Sequence, residues 1–167
     1  MGHLKNEDIH LTIAGEFWSG QREIETRISQ LGLWGQIQIE PRFVSPEETA
    51  EYFGRADVVV LPYRSATGSA VIPLAYRYSK PVIATRTGGL PELVLEGRTG
   101  YTVRPDSPGE LAEAIRRFPR QPFASFKPTI DALRPALRPA MTWPSLAGVL
   151  LDLARPRERE SDTGRLD

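Results

Sequence analysis

The sequence predicts an α/β fold in which a parallel sheet carries helices on both faces. Three observations predict it. Short apolar runs alternate almost strictly with helical stretches along the whole chain, the pattern of strand–helix–strand units. The run Val58-Val59-Val60-Leu61 is oily at every position rather than at every second one, as in a strand covered on both faces. Serine-proline pairs precede two of the helical stretches and glycine follows another, which are start and stop signals.

The elements follow in order. Ile9 to Ala14, IHLTIA, reads as the first strand, and Gly15-Glu16 ends it. Gln21 to Leu33 places Ile24, Ile28 and Leu31 at helical spacing, with Gly32 as the stop. Ile37 to Val44 reads as the second strand, bent or at an edge because Pro41 has no N–H for a ladder. Ser45-Pro46-Glu47-Glu48 predicts a capping box, and Ser107-Pro108-Gly109-Glu110 predicts a second one. Asp57 to Leu61 is the third strand and Gly68 to Tyr78 the helix after it. Pro81 to Ala84 is the fourth strand, Gly88-Gly89 opens a short helix through Val94, and Gly100 to Val103 is the last strand. Trp143, Leu146, Ala147, Leu150, Leu151 and Ala154 mark a closing amphipathic helix.

One domain is expected over residues 1–154, with a proline-rich connector carrying short helical pieces at about 119–140 and the closing helix at about 143–154. Residues 155–167 are charged and poor in apolar groups, and read as a frayed tail. Lys+Arg and Asp+Glu both number 21, so the basic excess of a nucleic-acid binder is missing. Cysteine is absent, which excludes disulfides and thiolate chemistry and fits a cytoplasmic setting. No run approaches the roughly 20 apolar residues of a membrane span, and the first residues lack the apolar core of a signal peptide.

In a parallel α/β sheet, ligands bind outside the carboxyl ends of the strands. Three loops there are candidates: Gly15 to Gly20, Tyr63 to Gly68, and Thr85 to Leu90. The second is the most informative. Ser65-Ala66-Thr67-Gly68-Ser69-Ala70 puts small, hydroxyl-bearing residues between a buried strand and a helix. Small residues let an anion approach backbone N–H groups closely, which makes a phosphate site. Simple capping of the helix by Ser65 or Thr67 explains the same residues. Arg42, Arg64 and Arg86 each follow a strand closely; each is either a phosphate ligand or a solvated rim charge. The histidines, His3 and His10, have no neighbours at metal-ligand spacing, so no metal is expected. No residue stands out as a catalytic acid or base.

The run from Ala56 to Phe118, ADVVVLPYRSATGSAVIPLAYRYSKPVIATRTGGLPELVLEGRTGYTVRPDSPGELAEAIRRF, resembles the nucleotide-sugar-binding half of family 4 glycosyltransferases. HLTIAGEFW, LGLWGQIQIEPRFVSPEETAEYF and MTWPSLAGVLLDLA resemble other pieces of the same domain, so the likeness runs from His10 to about Ala154. It implies a Rossmann-like domain of the two-domain GT-B architecture, and a retaining hexosyltransferase that needs no bound metal or other cofactor. The substrate would be a nucleotide-diphosphate sugar, with UDP or GDP as the nucleotide, and a hydroxyl group would accept the sugar. Carried over by position, Ser65, Thr67, Gly68, Ser69 and Ala70 would face the diphosphate and sugar. Arg42 and Phe43 would lie beside the nucleobase, and Gly15 and Glu16 would border the cleft. Gly88 and Gly89 would shape a loop rather than touch the ligand.

Two departures from the family pattern are expected to matter. Its two glutamates fall at Ala66 and Leu74, whose side chains accept no hydrogen bond. The resemblance also begins after the family's first donor-domain strand with its basic loop, and after the acceptor-binding domain. The chain is therefore expected to be inactive alone and to need that domain or a partner chain. The competing expectation is a catalytically silent nucleotide-binding or protein-interaction module.

Overall fold

The computed structural model describes residues 1–118, 123–133 and 135. Strands β1 (Leu11–Ala14), β2 (Ile37–Glu40), β3 (Val59–Leu61), β4 (Val82–Thr85) and β5 (Gly100–Val103) alternate with helices α1 (Gln21–Leu31), α2 (Pro46–Arg55), α3 (Val71–Arg77) and α4 (Pro108–Arg117). A helix α5 (Lys127–Leu133) follows, and single 3-10 turns cover Gly2–Leu4, Pro91–Leu93 and Phe123–Ser125. The α/β architecture is the expected one. All strand pairs among the described residues are parallel, but they form two sheets, β1-β2 and β3-β4-β5.

Local chemistry sets most boundaries. The second strand stops at Glu40 rather than at Val44, because Pro41 has no N–H to continue the ladder. Helix α1 stops at Leu31; Gly32 adopts φ 63 and its N–H caps the Ile28 and Ser29 carbonyls, as the sequence indicates. At α2 the capping box is complete: the Ser45 hydroxyl accepts the Glu48 N–H at 3.2 Å, and the Ser45 N–H donates to the Glu48 carboxylate at 3.0 Å. At α4 it is not. Pro108 still opens the helix, but Ser107 makes no side-chain cap. Glu110 turns away to accept the Arg104 backbone N–H at 3.0 Å.

The main core sits on the three-stranded sheet. Val82, Ile83 and Ala84 of β4 are fully buried, joined by Ile72, Ala75 and Tyr76 of α3 and by Phe126, Ile130 and Leu133 from the proline-rich stretch. The described part of that stretch carries the 3-10 turn Phe123–Ser125 and α5, whose buried residues belong to the core. The Tyr76 hydroxyl donates to the Leu93 carbonyl at 2.7 Å and lies 2.9 Å from the Thr99 hydroxyl, so burying it leaves no polar atom unpaired. Burial raises the Tyr76 phenol's pKa, keeping it neutral. A smaller cluster of Ile28, Leu33 and Ile37 lies under the two-stranded sheet. The Arg116–Glu7 ion pair at 2.8 Å ties the two parts together, and Phe53 of α2 packs on the main core and stacks on Tyr78. The closing helix and the tail read from the sequence lie outside the described residues.

Candidate functional site

The loop from Pro62 to Ala70 leaves the carboxyl end of β3. Helix α3 begins at Val71, three residues later than the sequence reading from Gly68. Gly68, Ser69 and Ala70 are therefore loop, not first turn. Capping falls to Ser69, whose buried hydroxyl accepts the Val71 N–H at 3.2 Å, and not to Ser65 or Thr67. Those two are exposed, as is Ala70, while Gly68 is half-buried. A seven-residue helix has a weak dipole, so anion binding here would rest on the loop itself.

The neighbouring turn after β4 braces this loop from below. The buried Thr85 hydroxyl donates to the Tyr63 carbonyl at 2.6 Å. The Gly89 N–H donates to the Thr67 carbonyl at 3.2 Å. Gly88 has φ 51, and a Cβ there would stand 1.7 Å from the Ala66 carbonyl oxygen. Only glycine lets the two backbones come this close. Gly88 and Gly89 thus shape the loop, as their resemblance implies. Beyond Gly89 the expected short helix reduces to the 3-10 turn Pro91–Leu93.

The remaining predicted residues lie at the ends of β1 and β2. Gly15 has φ 134, and its N–H donates to the Glu40 carbonyl at 3.1 Å, joining the first two loops. Glu16 is exposed beside it. Phe43 is 69% exposed and Trp18 is 97% exposed, so two aromatic faces stand in solvent at this edge. Trp18 lies within the Gly15 to Gly20 loop read as a candidate, though an isolated tryptophan in a loop carries no periodic signal of its own. Among the described residues no hydrogen bond or ion pair links these loops to the 63–70 loop. The site residues therefore form two groups, 15–16 with 42–43 and 65–70.

The arginines divide sharply. Arg42 is clamped by Glu48 through two bonds, 3.0 Å and 2.6 Å, which leaves its guanidinium committed within its own loop. This pair, with the Ser45 N–H, holds the Glu48 carboxyl at about 2. Arg86 donates to the Thr102 carbonyl at 3.1 Å and to Glu110 at 2.7 Å. Glu110 also takes the Arg104 backbone N–H and side chain, both at 3.0 Å, and these donors hold its carboxyl at about 2. Arg64 makes a single 3.0 Å bond to Asp106, a partner 42 residues away that no local pattern reveals. A depression of about 210 Å³ lined by Arg86, Glu96, Tyr101, Glu110, Glu113 and Arg117 lies over β5 and α4, away from the 63–70 loop. The Arg86–Glu110 ion pair forms part of its wall.

Ala66 and Leu74 are both half-buried. Ala66 packs against the main core, and its carbonyl takes the close approach of Gly88. Neither side chain offers a polar atom to a ligand. No helix of the described residues is long and apolar enough to cross a membrane.

Known proteins resemble this chain in sequence and in fold. Over 110 residues the chain is 36% identical to the D-inositol 3-phosphate glycosyltransferase of Paenarthrobacter aurescens, covering 65% of this chain but 26% of that protein. In structure it is similar to sucrose-phosphate synthase from Thermosynechococcus elongatus, with TM-score 0.72 and 23% identity over 91% of this chain and 39% of that one. It is also similar to Anabaena HepE in complex with UDP-glucose, with TM-score 0.69 and 21% identity over 89% of this chain and 40% of that one. These two likenesses show the fold, that of GT-B glycosyltransferases. The chain spans about a quarter of the length of the curated relatives it matches. The profile described as "Glycosyl transferases group 1" matches residues 1–120, and the chain belongs to that family.

Proposed function

We propose that this chain is the nucleotide-sugar-binding part of a retaining, family 4-like glycosyltransferase. The complete enzyme moves a sugar from a nucleoside-diphosphate sugar, with UDP or GDP as the nucleotide, to a hydroxyl acceptor held by a further domain or partner chain. It works in the cytoplasm without a bound metal. The observation that carries this reading is the 65–70 loop, made of small residues and braced by the Gly88-Gly89 turn at the carboxyl edge of a parallel sheet. Backbone N–H groups fixed in advance suit the charge that develops on a leaving diphosphate. Exposed Phe43 offers a face for the base.

Isothermal titration of the chain with UDP and GDP tests the reading. Binding is expected for one of them, weakened at least tenfold by Gly68→Leu, with no sugar transfer by the chain alone. A folded chain that binds neither nucleotide at millimolar concentration overturns it. Ala66 and Leu74 favour a second reading, a module that binds nucleotide and no longer catalyses. Fusion to the acceptor domain of a relative separates the two: the first expects transfer, the second expects binding without transfer.

A further inference from the structure

We propose that Arg64 is a phosphate-contacting residue that Asp106 holds in reserve, and that the ligand's diphosphate displaces Asp106 from it. The inference rests on the donor reading above and assigns a side chain to it. Arg64 is the third residue past β3 and Asp106 the third past β5. Strand β4 lies between those two strands. Their 3.0 Å ion pair therefore crosses over the carboxyl end of β4, directly ahead of the Ser65–Ala70 loop.

Among the arginines at this edge, the bonding of Arg64 alone suits exchange. Arg42 is held by a two-pronged carboxylate, and Arg86 and Arg104 share Glu110. Arg64 uses only Nε, and its two Nη groups have no partner among the described residues. Its side chain is 86% exposed and that of Asp106 is 67% exposed. An exposed single-bonded pair contributes little to folding, so breaking it leaves the fold intact. A diphosphate offers more charge and paired oxygens that match the guanidinium fork. Asp106 also has φ 51, the left-handed region in which a residue other than glycine is uncommon. The turn thus fixes the Asp106 backbone in the left-handed region at this edge, where aspartate and asparagine are the side chains best tolerated.

Titration of the whole chain with UDP, at low and high salt, tests this on the wild type, Arg64→Gln, Arg64→Lys and Asp106→Asn. Asparagine tolerates the left-handed backbone, and circular dichroism confirms folding of each variant. Arg64→Gln is expected to weaken UDP binding roughly tenfold and to flatten its salt dependence. Arg64→Lys retains part of the affinity. Asp106→Asn tightens binding severalfold, because the competing carboxylate is gone. UDP binding that Arg64→Gln leaves unchanged overturns the inference alone, and an unchanged Asp106→Asn overturns the displacement. A folded wild type that binds neither UDP nor GDP overturns the donor reading together with this inference.

Discussion

The two parallel sheets are built from the same strand–helix grammar and are buried very differently. Every residue of β4 is buried, whereas β1 alternates between half-buried and exposed positions. β4 has a strand on each side and a core of α3 and α5 residues against it. β1 has β2 alone and a cluster of three buried residues, Ile28, Leu33 and Ile37. Among the described residues, the large apolar ones left in solvent, Trp18, Ile24, Trp34 and Phe43, all lie in the first region. Strand sequence therefore sets which residues are able to be buried, and the number of packed layers sets which ones are. The three-stranded sheet is a deeply buried platform for its loops. The N-terminal region presents aromatic surface on a thin support.

Core truncation is the hardest test of this contrast. Phe126→Ala is expected to cost about 3–5 kcal/mol, since Phe126 is fully buried and packs on Tyr101 and Phe118. Ile37→Ala in the small cluster is expected to cost nearer 2 kcal/mol, because its shallow surroundings collapse or hydrate more readily. Urea denaturation measures both. Equal losses would remove the distinction between platform and support.

A smaller effect compares two helix starts that look alike in sequence, one in each region. Ser45 closes a complete capping box and Ser107 does not cap. Ser45→Ala is expected to cost about 1 kcal/mol and Ser107→Ala under about 0.5 kcal/mol, by thermal or urea unfolding. Similar losses would mean that both serines cap in solution.

The difference shows where sequence reading reaches and where it stops. Elements governed by one residue's covalent chemistry were legible: Gly32 as a stop, and β5 as Gly100–Val103. The loop-shaping role of the glycine pair came from the family resemblance and not from the pair itself, which is common in plain turns; the close approach sits at Gly88. What depends on competition between distant partners was not legible. Ser-Pro-Gly-Glu reads as a capping box, but Glu110 has a better set of donors in Arg104 and Arg86. The early start expected for α3 failed because Ser69 caps two residues ahead and keeps Gly68 in the loop. The commitment of Arg42 to Glu48 and the reach of Arg64 to Asp106 are equally invisible in local sequence. The candidate residues do fall in loops at the strand ends, while the partners of their charges were not legible.

The smallest expected effect is the most specific, and it again sets one region against the other. Glu48 and Glu110 both titrate at about 2 in the folded chain instead of at the ordinary 4.5. A depressed carboxyl pKa means that the unfolded state takes up protons first as pH falls. Each group's contribution is therefore complete above about pH 4.5 and is lost between there and about pH 2. The causes differ. Glu48 is lowered first by the Arg42 side chain, Glu110 first by the Arg104 backbone N–H. Arg42→Gln should therefore move Glu48 back toward the ordinary carboxylate range, while Arg86→Gln should leave Glu110 well below it. Carboxyl carbon NMR across pH 2–5 reads both shifts directly. If Arg86→Gln returns Glu110 to the ordinary range, the backbone N–H is not its main support, and the two acids are held by side-chain charge alike.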